Sequence, residues 1–86
     1  MSLNSLRDEI DEIDWRILRL INKRFNLVQN IKKEKKRLGL QLVNRSREKK
    51  ILKKLTQSSK ELNLNSDFVA DVYKLIIKES RRIQSQ

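Results

Sequence analysis

The chain has no cysteine, no histidine and no proline, and its one glycine is Gly39. Without cysteine there is no disulfide framework and no thiolate chemistry. With histidine missing too, the usual nucleophile–base pairs and zinc sites have nothing to build on, so neither a metal nor a cofactor is expected. The near absence of turn-makers lets helical patterns run on. No uninterrupted apolar stretch approaches the roughly 18 residues of a membrane span, and no signal peptide opens the chain, so the expected setting is the cytoplasm, away from membranes. Strand alternation, internal repeats and low-complexity linkers are absent as well.

What remains is 86 residues, 37% of them hydrophobic and 37% charged. That suits one soluble helical domain, residues 1–86, with limited capacity to bury a core. The formal net charge is +10. Nucleic acid, an anionic membrane or a small polyanion could answer it. Runs such as "KKEKK" and "REKK" serve equally well as solvated helix faces, because long basic side chains lay their stems along apolar surface. Charge alone does not choose a partner.

Apolar periodicity divides the chain into three helices. Ser5 or Asn4 is a candidate cap for the first, with Asp8 and Glu9 favouring its positive end. The pattern continues to Gly39, a plausible C-cap. "GLQLVN" connects to a second helix from about Arg45 to Ser58, capped by Asn44, and "NLNSD" leads to a third, capped by Ser66 and running from about Asp67. The first helix, about 34 residues or roughly 50 Å long, exceeds the diameter of a compact domain of this size. Its apolar stripe (Leu3, Leu6, Ile10, Ile13, Ile17, Leu20, Leu27, Ile31, Leu38) is too long for two shorter helices to cover. The expected fold is therefore all-α, three helices per chain in an intertwined homodimer.

Each helix also carries polar residues on the face it should bury. Arg24 and Lys35 fall inside the first helix's apolar arc, and Arg7 lies at its edge. Glu48 points along the arc of Ile51, Leu52 and Leu55, flanked by Arg47. Ser80 is central in the arc of Val69, Tyr73, Ile76, Ile77 and Ile83, and Gln84 lies inside it. Each has an ordinary explanation. Arg24 could pair with Glu48, Lys35 could reach solvent, Ser80 could bond its i−4 carbonyl, and Gln84 could sit in a frayed last turn. Arg7 and Arg47 could simply be surface residues. Taken together they describe a polar pocket of four cations and one carboxylate, suited to a small dianion bearing a hydroxyl.

These residues resemble the AroQ class of chorismate mutases, the all-helical dimers that convert chorismate to prephenate. The likeness covers nearly the whole chain: "LRDEIDEID", Arg24 in "NKRF", Lys35 in "KKEK", "VNRSRE" and "LIIKESRRIQ". The resemblance implies that Arg7, reaching in from the neighbouring subunit, and Arg24 bind the substrate's two carboxylates, with help from Arg47 and Ser80. Glu48 would accept from the ring hydroxyl, while Lys35 and Gln84 would flank the ether oxygen. Many relatives carry Asp where this chain has Asn44, a substitution that keeps a cap and a hydrogen-bonding group at the rim but removes one negative charge. A Claisen-type rearrangement needs no nucleophile, proton shuttle or metal. It needs a compact substrate conformation and charge stabilisation at the ether oxygen. The alternatives are an isochorismate-pyruvate lyase of the same fold, and a basic helical nucleic-acid-binding or regulatory module, which would carry its cations on outer faces and bind nucleic acid in a salt-dependent way.

Overall fold

A computed structural model describes residues 1–86 as three α-helices with no strand: α1 Leu3–Leu38, α2 Arg45–Glu61 and α3 Ser66–Gln84. Each start is fixed by a side-chain cap. At α1 the cap is Ser2, not Ser5 or Asn4. The Ser2 Oγ accepts from the Ser5 N–H at 3.1 Å, and the Ser5 Oγ accepts from the Ser2 N–H at 3.1 Å. This reciprocal pair satisfies two donors that the first turn leaves free. The start therefore moves back toward the terminus, and the first turn holds no acidic residue; Asp8 and Glu9 follow it.

Gly39 ends α1 as anticipated, at φ 69°, the left-handed conformation that glycine adopts without a Cβ clash. The Leu40 N–H reaches back to the Lys35 carbonyl at 2.8 Å. Asn44 caps α2, its Oδ1 accepting from the Arg47 N–H at 3.0 Å. That helix runs past Ser58 to Glu61 because nothing in "SSKE" stops it, and Asn63 at φ 57° makes the turn. At α3 the cap is Asn65, whose Oδ1 accepts from the Phe68 N–H at 3.1 Å, and Ser66 is the first helical residue.

α3 is the middle element, packed on α2 along one side and on α1 along another, while α1 and α2 do not pack on each other. The buried residues are few: Val28, Ile77 and Ile83, joined by Ser59 and Ser80. Only the second half of α1 takes part. Ile21, Phe25, Val28 and Lys32, at alternating spacings of four and three, turn toward the other helices, and Lys32 Nζ donates to the Ile83 carbonyl at 3.2 Å. Every residue from Met1 to Leu20 is exposed. The molecule measures 55 × 24 × 16 Å with a radius of gyration of 16.1 Å. A compact chain of this length has a radius of about 12 Å.

Along the uncovered half of α1 run Leu3, Leu6, Ile10, Ile13, Ile17 and Leu20, spaced alternately by three and four residues. The row continues through Arg24 to Leu27 and Ile31, and both of these remain about half exposed. This is the spacing of a helix seam that meets another helix. The second half of α1 thus presents two adjacent apolar rows, one to α3 and one to the open side of the bundle.

Candidate active site

Where α1, α2 and α3 converge they enclose a cavity of about 300 Å³, at the lower end of the range for small-molecule sites. Its apolar wall is Leu27, Val28, Ile31, Ile51 and Ile77. Seven of the eight residues singled out from the sequence line it: Arg24 and Lys35 from α1, Arg47 and Glu48 from α2, Ser80 and Gln84 from α3, and Asn44 at the cap of α2. The eighth, Arg7, does not. It lies on the exposed half of α1, about 25 Å along the helix from Arg24 at 1.5 Å per residue.

Each lining side chain is held by its local surroundings. Arg24 donates through Nη1 to the Ser80 Oγ at 2.7 Å, and that hydroxyl donates to the Ile76 carbonyl at 3.0 Å. Ser80 thus makes the i−4 bond open to any helical serine, and its oxygen also fixes the inner end of Arg24. Lys35 Nζ donates to the Leu42 carbonyl at 2.8 Å, which ties the ammonium to the α1–α2 connection and leaves two of its three donors free. Gln84 is the last helical residue of α3, half-buried and bonded into the final turn by its backbone. Arg47 is exposed at the mouth, and the Asn44 Oδ1 is engaged by the cap, so the amide nitrogen is what Asn44 offers to the rim.

Glu48 does not pair with Arg24. It pairs with Arg81, a residue the sequence reading passed over. Arg81 Nε approaches Oε2 at 2.8 Å and Oε1 at 3.1 Å, and its Nη2 also bonds Oε1. This fork, opposed by partial burial and assisted by Arg45 and Lys35, holds the Glu48 carboxyl below the usual glutamate range. The cavity has four cations (Arg24, Lys35, Arg47, Arg81) against one carboxylate, the proportion expected with Arg81 in the place of Arg7. Helical spacing held the signal for Arg81, since it lies four residues after Ile77 and three before Gln84. No group of three or more His, Cys, Asp or Glu side chains comes together as a metal site.

A half-open, cation-rich cavity with one fixed carboxylate can hold a small molecule carrying two acidic groups and a hydroxyl. Residues 6–85, nearly the whole chain, match the family described as chorismate mutase type II. The chain belongs to that family. Among its relatives, the chorismate mutase of Methanocaldococcus jannaschii is 31% identical over 84 residues, covering 98% of this chain and 85% of the relative. The bifunctional chorismate mutase/prephenate dehydratase of Buchnera aphidicola subsp. Acyrthosiphon pisum is 39% identical over 85 residues, 99% of this chain and 22% of that protein. The T-protein of Enterobacter agglomerans is 33% identical over 78 residues, 91% of this chain and 21% of that protein. The chain thus spans about a fifth of the length of the bifunctional relatives. Membership of the chorismate mutase family agrees with the all-α fold. A nucleic-acid-binding module would carry its cations on outer faces only; most Lys and Arg here are exposed, but Arg24, Lys35 and Arg81 turn partly inward to the cavity.

Proposed function

We propose that the chain catalyses the Claisen-type rearrangement of chorismate to prephenate, a step of aromatic amino acid (Phe/Tyr) biosynthesis, as a cytoplasmic homodimer in which residues 1–86 form one catalytic domain. The convergence of Arg24, Lys35, Arg47, Glu48, Ser80 and Gln84 on a single cavity carries this reading. Arg24, braced by Ser80, takes one substrate carboxylate, and Arg47 at the mouth adds charge. Glu48 accepts from the ring hydroxyl. Lys35 and Gln84 stand on either side of the ether oxygen and stabilise its negative charge as the C–O bond breaks. Clamping the carboxylates favours the compact conformer, and the two donors lower the barrier electrostatically.

Arg7 meets the second carboxylate from the partner subunit. The uncovered row Leu3 to Leu20 supports this arrangement, since a second α1 laid along it would cover the apolar side chains and bring its own first half over the open side of the cavity. The deciding test is incubation of the purified protein with chorismate and, separately, with isochorismate. Prephenate from chorismate supports the proposal. Pyruvate and salicylate from isochorismate, with chorismate untouched, would give the cavity to the lyase reaction.

A further inference from the structure

Arg81 has no part in the proposed chemistry, yet it makes the most extensive polar contact in the cavity. The Arg81–Glu48 pair is the only ion pair that joins two helices; the other three link residues three or four apart on one helix. Glu48 is the more enclosed partner, its side chain 16% exposed against 37% for Arg81. The guanidinium also borders a second, outer groove between α2 and α3, so the carboxylate is gripped where the two cavities meet.

The charged groups around Glu48 are all cations: Arg24 and Lys35 from α1, Arg45, Arg47 and Lys49 from α2, and Lys74, Lys78 and Arg81 from α3. Only Arg81 donates a hydrogen bond to it. A planar guanidinium fork fixes the plane of a carboxylate as well as its position, which a diffuse set of surrounding charges cannot do. Oε1 accepts from both Nε and Nη2, but Oε2 accepts from Nε alone and keeps a lone-pair site that can still accept from a ligand hydroxyl.

Resting on the function proposed above, we infer that Arg81 is a positioning residue, which grips Glu48 across the α2–α3 seam and turns its carboxylate to receive the substrate hydroxyl. A fork that merely pinned two helices together would affect stability alone. A positioning fork affects the reaction through Glu48 and nowhere else. Because its hydrogen bond is the chief reason the Glu48 carboxyl titrates low, its loss must also raise that titration.

The test uses Arg81→Met, Arg81→Lys, Glu48→Gln and the double variant Arg81→Met/Glu48→Gln in the full chain. The measurements are kcat and KM across pH, and the titration of the Glu48 carboxyl carbon by NMR. We expect Arg81→Met to lower kcat/KM by up to about a hundredfold, the scale of a group misplaced by about 1 Å. Its acid limb and the Glu48 midpoint should move to higher pH together. Arg81→Lys, with a point charge but no fork, should keep the low Glu48 midpoint better than it keeps kcat/KM. On the Glu48→Gln background, Arg81→Met should cost nothing more. An unmoved Glu48 midpoint in Arg81→Met, or its full cost on the Glu48→Gln background, overturns the inference. If Arg81→Met fails to fold, Arg81→Lys decides, and wild-type kcat/KM in that variant overturns it. A wild-type protein that leaves chorismate unchanged would overturn the proposed reaction instead, while the NMR midpoint would still report whether Arg81 holds Glu48.

Discussion

At the scale of the residue, the proposed reaction separates groups that bind from groups that act as charge develops. On that reading Lys35 belongs to the second kind. Its replacement by methionine should lower kcat by two to three decades, roughly 3–4 kcal/mol, with KM changed far less, as steady-state kinetics will show. Gln84 cannot ionise and the chain has no histidine, so kcat/KM should be flat from about pH 6 to 9. Gln84→Glu should remain active in acid and lose activity as pH rises, because an ionised carboxylate repels the developing charge. The low titration of Glu48 has a defined sign for stability. A carboxyl depressed in the fold contributes stability above its unfolded value of about 4.3 and loses it as pH falls through the lower folded value. Urea titrations of wild type and Glu48→Gln should therefore differ at neutral pH and converge in strong acid. Seven of the cavity's eight polar residues were singled out in the sequence: Arg24, Lys35, Glu48, Ser80 and Gln84 fall in apolar arcs, Arg47 flanks one and Asn44 is a cap. Arg81 shares the helical spacing but was passed over, since beside Arg82 it reads as one more charge in a basic tail. Its inward aim depends on where α2 lies.

At the scale of the element, the three helices could be read from their interruptions. Gly39 and "NLNSD" are the only breaks in continuous periodicity, and the structure breaks at both. The caps were harder. Ser2, Asn4 and Ser5 are all competent at the start of α1, as are Asn65 and Ser66 at α3, and sequence does not reveal which hydroxyl or amide meets a free N–H. Asn44 had no such competitor. Gly39→Ala offers a clean measurement, because an added Cβ would meet nothing within 4 Å and only the left-handed backbone would resist it. The expected cost is about 1–2 kcal/mol in urea unfolding.

At the scale of the whole molecule, α1 is as long as the structure itself, and every residue of its first half is exposed. If Arg7 completes the partner's cavity, an Arg7→Ala chain and an Arg24→Ala chain should each be inactive alone and recover activity when mixed, since some heterodimer sites then keep both arginines. No recovery after verified subunit exchange would remove Arg7 from catalysis. The surplus apolar length of α1 is what prompts the proposal of a second copy, and it stays uncovered in the single chain. That seam does not say how two copies would lie, because alternating spacing serves parallel and antiparallel pairings alike.

The bare first half of α1 also bears on how the protein should come apart. Only five residues are buried within one chain, a small hydrophobic return for ordering 86. If the proposed dimer forms, a separated subunit would have little to hold it together, and dissociation and unfolding should be one event. Dilution would then act as a denaturant. The thermal midpoint should climb steadily with protein concentration, because two unfolded chains must find each other to refold. Replacing Ile10 and Ile13 by lysine should lower that midpoint although both positions lie far from the cavity, and should leave a chain that sediments as an unfolded monomer.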